Sequence, residues 1–242
     1  DNPAEIVEHP QAKEEEIEYL LRHVTKYFNI AVTRSDVKAV WTGLRPLVVA
    51  QETTNTAELV REHVIQVSKS GLLTIAGGKW TSYRKMAEEA VDQAIQSYNL
   101  KPTCACHTAR LPLVGAENLD RQGDKLLIRR YGLDGDITRH LHRAYGDQAK
   151  NVADLTRSGL KTRLHPDHPF LEAEVVYAAR HEFAQRASDV LARRMPLALL
   201  DNAAAKTALP RVIELMAGEL GWDKERASEE AVIGMQRLDV AI

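Results

Sequence analysis

Apolar residues recur at spacings of three and four at Ile17, Leu20, Leu21, Val24 and Phe28. That period predicts an amphipathic helix, and the run Glu14, Glu15, Glu16 suits the positive end of its dipole. Across 37–50 the pattern changes to β-branched and aromatic residues broken by Gly43 and Pro46. This predicts a strand, a kink and a second extended piece. Two short apolar runs, 63–67 and 72–76, flank Ser68-Lys69-Ser70-Gly71 and predict a hairpin, with Gly71 supplying the positive φ of the return. The second run stops at Gly77-Gly78, after which Met86, Ala87, Ala90, Val91, Ala94, Ile95 and Tyr98 mark a helix. Residues 72–98 thus spell strand, Gly-Gly turn, helix.

Periodicity lapses over 99–112, where Pro102 and Pro112 punctuate the chain, and a domain boundary is expected there. Beyond it the pattern is helical over 120–131, 135–145, 147–158, 171–194, 202–220 and 223–238. Asp201 and Asp223 stand where N-caps belong, and Gly132, Gly146, Gly159 and Gly221 follow helix ends. Val175, Val176, Ala179, Phe183, Ala187, Val190 and Leu191 form the core-facing stripe of the longest helix. The expected fold class is α+β: N-terminal strands and helices in residues 1–100, then a mostly α-helical domain over 101–242.

Composition narrows the function classes. With 44% apolar and 27% charged residues, the 242-residue chain has the make-up of a globular protein able to bury its own core. A formal net charge of −2 offers no global basic field, so no nucleic-acid partner is expected. Two cysteines make no disulfide framework and point to a reducing compartment. No apolar run approaches the roughly 18 residues of a membrane span. The chain opens on Asp1 rather than Met, and a piece of a longer protein is expected.

Candidate chemistry concentrates at Gly77-Gly78-Lys79-Trp80-Thr81-Ser82. A strand ending in two glycines and turning into a helix presents backbone N–H groups and partial positive charge at one point. An anion or a polarisable carbonyl oxygen suits that point, and the missing side chains permit close approach. A nucleotide P-loop does not fit, because no Gly stands five residues before Gly78 and Trp80 holds the Ser/Thr place. A plain left-handed turn remains the alternative. Arg45, between Gly43 and Pro46, and Arg61, before the strand at His63, are candidate phosphate or carboxylate ligands, with ordinary surface positions as the alternative. Cys104-Ala-Cys106-His107 lacks the paired spacing and fourth ligand of a zinc site, so no metal is expected. His140 and His142, two apart on a helix, cannot share a ligand face. His165 and His168 are expected to be solvated, and Arg180-His181-Glu182 to form a polar face pairing with other helices.

Three groups of residues carry a family resemblance: Trp41-Thr-Gly-Leu-Arg-Pro-Leu47, Arg61-Glu-His63, and the run from Ser70 through Gly77-Gly78-Lys79-Trp80-Thr81-Ser82-Tyr83-Arg84 to Glu88. Further motifs follow in Tyr177–Ala184, Asp189–Arg194, Ala208–Met216 and Glu219–Asp223. Together they resemble FAD-dependent glycerol-3-phosphate dehydrogenases. The resemblance implies oxidation of sn-glycerol 3-phosphate to dihydroxyacetone phosphate, with hydride passing to flavin N5 and electrons to membrane quinone. It implies that this chain is the C-terminal portion, because the G-x-G-x-x-G turn of the family's N-terminal half is missing. Residues 1–100 would complete the FAD and substrate domain, and 101–242 would be the appended helical domain. Arg45 matches an arginine near substrate and flavin and is the expected catalytic residue. Arg45, Arg61 and Lys79 are the expected substrate ligands. Gly77, Gly78, Lys79, Trp80 and Thr81 match the loop that approaches the flavin.

Three departures stand out: Ser82 replaces a second Thr, 48–50 lacks an acidic residue, and no calcium-binding helix pair follows Leu238. Partners implied are the N-terminal half of the same enzyme, quinone, a homodimeric copy and a peripheral membrane surface. The implied location is cytoplasmic and peripheral on the inner membrane, mitochondrial in a eukaryote. Two alternatives stay open: a glycerophosphate oxidase using oxygen, and a non-catalytic interaction or membrane-docking role for 101–242.

Overall fold

The computed structural model describes residues 5–7, 10–44 and 63–239. They divide into two compact units, one from residues 44–113 and one from 1–43 with 114–242.

The smaller unit is a hairpin braced by a helix. β1 (His63–Val67) and β2 (Leu73–Gly77) pair antiparallel, with His63 opposite Gly77 and Val67 opposite Leu73. Gly71 makes the return at φ 83°, and Ser68 both donates to and accepts from Leu72 across the turn. Helix α2 (Tyr83–Tyr98) ends on Asn99 in the left-handed conformation, and the Tyr98 hydroxyl donates to the Gly71 carbonyl at 2.6 Å. That bond ties the helix's far end to the hairpin tip. Residues 102–113 run along α2, where Arg84 donates to the Thr108 hydroxyl at 3.1 Å. Val67, Leu72 and Ile75 remain exposed, as a two-stranded sheet without a covering layer must leave them.

The larger unit is helical. α1 (Glu14–Phe28) begins as its acidic run predicts, with the Glu16 carboxylate accepting from the Lys13 backbone N–H. It buries Ile17 but leaves Leu20, Tyr27 and Phe28 exposed. From residue 114 onward the helices stack in near-sequential order: α3 (Gly123–Tyr131) on α4 (Gly135–Tyr145), α4 on α5 (Ala149–Leu155), and α5 on α6 (Glu172–His181). After the short α7 (Leu197–Leu200), α8 (Asn202–Leu220) packs on α6 and α9 (Lys224–Asp239) packs on α8.

Two hydrophobic cores meet at α6. One gathers Leu127, Ile137, Leu141, Val152 and Tyr177; the other gathers Val175, Leu191, Leu197, Val212, Met216 and Leu238. Every residue from Glu172 to Ala178 is therefore buried. The helix's carboxylates are matched accordingly. Glu172 accepts two bonds from the Arg211 guanidinium, at 2.7 and 3.1 Å. Glu174 accepts from the Leu171 N–H, from His140 Nε2 and from the Tyr145 hydroxyl. Burial first, and then the Glu174 charge, pushes the Tyr145 phenol far above its usual range. Asp201 caps α8 by accepting from the Ala204 N–H, and Asp223 accepts from the Arg226 N–H at the start of α9.

Three expectations are corrected. Residues 37–44 form no strand; a 3-10 turn (Arg34–Asp36) precedes them, and Lys38 instead accepts from the Asn202 N–H at the head of α8. The single helix over 171–194 is broken after His181. The Ala178 carbonyl accepts from both Glu182 and Ala184, and Phe183 turns left-handed at φ 53°. The Asp189 carboxylate then collects the N–H groups of Gln185 and Arg186 and opens a π-turn (Asp189–Arg194). The break throws Phe183 out of the core stripe to 84% exposure. Finally, His165 and His168 are largely enclosed: His168 stacks on Phe170 and lies 3.5 Å from Asp201.

By spatial grouping, residues 1–43 go with the helical unit and 99–113 stay with α2, whereas the division expected from the chain's pattern falls near residue 100. Regular structure lapses at 99–113, yet that segment packs on α2.

One ion pair gives a direct stability test. The two terminal nitrogens of Arg163 donate to the two oxygens of Asp136 at 2.8 Å each and hold its carboxyl down to about 2, from 3.8. Because the folded value lies below the unfolded one, the stabilisation is complete above about pH 4 and disappears as pH falls through about 2. Asp136 is 46% exposed, so solvent screening limits the contribution to about 1 kcal/mol. Asp136→Asn is expected to lower the unfolding free energy by that amount at pH 7 and by much less at pH 2, read by urea melts at both.

Candidate functional site

The ladder of β1 and β2 ends with Gly77, and the backbone then takes two consecutive left-handed steps, at φ 76° for Gly77 and 80° for Gly78. A side chain resists either step, so the glycine pair permits a reversal that other residues would make only under strain. Lys79 returns to extended geometry, and a 3-10 turn (Trp80–Ser82) leads into α2. The Ser82 N–H and hydroxyl both donate to the Lys79 carbonyl, at 3.0 and 2.9 Å, which holds the turn closed. Neither Lys79 nor Ser82 caps the helix start with its side chain, so among the described residues the partial positive charge at this end meets no capping side chain.

Torsion is the main reason for glycine at 78, and the space beside it is also close, bounded by the flexible end of Met86. A Cβ there would lie 2.6 Å from Met86 Sδ, 2.7 Å from Met86 Cε and 3.1 Å from His63 Cβ. Opposite that packed side, Lys79, Trp80 and Thr81 are exposed, and Trp80, at 87%, stacks over Tyr83 with ring centroids 5.6 Å apart. The structure thus brings Gly77, Gly78, Lys79, Trp80 and Thr81 into one short loop. It offers backbone donors, a cation, a hydroxyl and an aromatic face to whatever meets it. Arg45 and Arg61 lie outside the described residues.

Three residues beside the loop were not expected to support it from the chain's pattern: His63 and Met86, read only as strand and helix positions, and Glu89. His63 Nε2 lies 2.7 Å from Glu89 Oε2 and joins β1 to α2. The helical spacing placed Met86 on the inner face of α2. No pattern links positions 63 and 89, because their proximity depends on the hairpin folding back over the helix.

The remaining candidates separate in space. Cys104 Sγ is 3.9 Å from His107 Nδ1 and Cys106 Sγ is 3.2 Å from the Thr108 hydroxyl. Among the described residues no group of three or more His, Cys, Asp or Glu side chains is arranged to hold a metal ion. His140 bonds Glu174 whereas His142 bonds the Asp120 carbonyl, which agrees with their different helix faces. Arg180 pairs with Glu219 of α8, a polar contact between helices rather than a catalytic group.

Residues 106–227, half of the chain, match the family described as the C-terminal domain of alpha-glycerophosphate oxidase. The chain belongs to this family. It is 42% identical over 95% of its length to the mitochondrial glycerol-3-phosphate dehydrogenase of Arabidopsis thaliana. It is 40% identical over the same share to the mitochondrial glycerol-3-phosphate dehydrogenase of Homo sapiens. It spans only 39% and 32% of those two proteins. The crystal structure of glycerol-3-phosphate dehydrogenase from Bacillus halodurans complexed with FAD is similar over 96% of this chain and 46% of that one. The TM-score is 0.74 and the sequence identity 26%. A family portion that begins at residue 106 in a chain matched almost throughout leaves the hairpin, the Gly-Gly loop and α2 within the longer relatives' shared sequence.

Gly78→Ala is expected to destabilise the smaller unit by about 1–2 kcal/mol, mostly from left-handed strain, with a small share from displacing the flexible end of Met86. Adding Met86→Ala should recover only the packing share. Amide exchange across 63–77 in both variants reads the two contributions.

Proposed function

We propose that this chain is the C-terminal part of an FAD-dependent glycerol-3-phosphate dehydrogenase. In this reading residues 1–100 complete the FAD and substrate domain and 101–242 form the helical domain. The observation that carries it is the loop at 77–81: two left-handed glycines, one packed closely against Met86 and His63, lead into a helix start without a side-chain cap. The exposed apolar residues of α1 and the hairpin support a longer protein, since each leaves a face that another layer would cover. The lengths of the curated relatives agree.

The loop's chemistry fits a flavin. Gly77 and Gly78 would let the ring system approach the backbone, with Thr81 supplying a hydroxyl and Lys79 a cation. FAD, when bound, supplies the acceptor for hydride from the substrate's C2. The positive end of α2 and the Lys79 ammonium would stabilise the negative charge that accumulates on the reduced ring. Arg45 and Arg61 would take the phosphate of sn-glycerol 3-phosphate, with Arg45 also orienting the reacting carbon, and Lys79 would complete the substrate site.

Quinone is the proposed electron acceptor, and the enzyme would sit peripherally on an inner membrane, mitochondrial in a eukaryote. The mitochondrial names of the relatives support that location. Among the described residues no helix is long and apolar enough to cross a membrane. Oxygen is the competing acceptor, favoured by the family's description as a glycerophosphate oxidase.

The decisive experiment is anaerobic addition of sn-glycerol 3-phosphate to the full-length enzyme. Bleaching of the flavin band is expected, and an unchanged spectrum overturns the reading. Lys79→Met should raise KM about a hundredfold, the effect of removing a charged ligand from a desolvated anion site. Comparing quinone with oxygen turnover identifies the acceptor.

A further inference from the structure

The hairpin and α2 enclose a small wedge behind the Gly-Gly loop, and one side chain crosses it. His63 stands opposite Gly77 in the ladder, so it pairs with the last residue before the loop leaves the sheet. Its Cβ closes one side of the space next to Gly78, and the Met86 thioether closes the other. Its imidazole Nε2 then reaches Glu89 Oε2 on α2 at 2.7 Å, with only 19% of the His63 side chain exposed. Lys85 also approaches Glu89, at 3.5 Å, though its shorter contact is with Glu88. The strand end, the helix and the loop between them therefore form a closed figure in which His63–Glu89 is the cross-member.

Consecutive glycines have the widest backbone freedom of any pair, and nothing in their own chemistry selects one conformation. A loop that must meet a ligand in one shape gains affinity from whatever removes the alternatives beforehand. Met86 alone only fills space. The His63–Glu89 bond fixes a distance between two elements, so it sets how far the loop must bend to join them.

We propose that His63, held by Glu89, is a positioning residue that sets the curvature of the 77–81 loop and so pre-forms it for the flavin. This rests on the reading that the loop contacts FAD. His63 acts through the loop and is not assigned contact with cofactor or substrate.

The test uses the full-length enzyme, stripped of flavin and titrated with FAD by fluorescence, alongside thermal melts and kcat per bound flavin. His63→Ala and Glu89→Ala are each expected to weaken FAD binding about tenfold, the scale of one charge-assisted hydrogen bond. The double variant should be no weaker than either single, because both remove the same bond. His63→Gln, whose amide can still donate to Glu89, should keep affinity within about twofold. A fall in melting temperature with FAD affinity unchanged overturns the proposal, as do single effects that multiply in the double variant. Should His63→Ala not fold, Glu89→Ala and His63→Gln read the same bond. Gly78→Ala separates the two levels of inference. If it weakens FAD binding while His63→Ala does not, the bracing role fails alone; if neither does, the loop's assignment to flavin fails.

Discussion

Helix α6 has no solvent-facing side over its first seven residues, and the helical unit is built around that constraint. A buried helix must find partners for any charge it carries, and α6 carries Glu172 and Glu174 near its start. Arg211 meets the first from α8, while His140 and Tyr145 meet the second from α4 and its end. These bonds select which helices lie on each side, in a way that the apolar contacts of two similar cores could not. The break after His181 has a different, local origin. The chain leaves the core at Phe183 and re-enters through the π-turn that Asp189 opens.

The hairpin unit obeys a different constraint, the left-handed backbone of Gly77 and Gly78. Met86 and His63 pack closely beside Gly78, while Lys79, Trp80 and Thr81 are exposed. Loops commonly carry binding groups on a rigid support, and here the support is a short ladder and one helix joined at two points: His63–Glu89 near the loop and Tyr98–Gly71 at the far end. The open side presents polar and cationic groups without a side-chain cap.

The two units differ in how complete they are. The helical unit buries two cores and matches its internal charges, yet α1 leaves Leu20, Tyr27 and Phe28 exposed. The hairpin unit buries little and leaves apolar strand residues uncovered. A two-stranded sheet is marginal in isolation, and its exposed faces are those of a sheet within a larger layer. The family match and the partial coverage of longer relatives agree with that physical picture.

Local pattern alone determined the elements whose cause is local. The hairpin return at Gly71, the strand–glycine–helix order of 72–98, the bounds of α8 and the glycine helix ends follow from torsional preference and apolar spacing, and the loop at 77–81 was legible for the same reason. Tertiary structure decided what depends on residues distant in the chain. The Asp189 side chain turned one long helical pattern into two pieces and sent Phe183 outward. The Phe170 ring and Asp201 enclosed His168, and a strand brought His63 to Glu89 across 26 positions. Spacing encodes a residue's direction within its own element, whereas a partner from another element is chosen by packing, and only the folded chain contains that information.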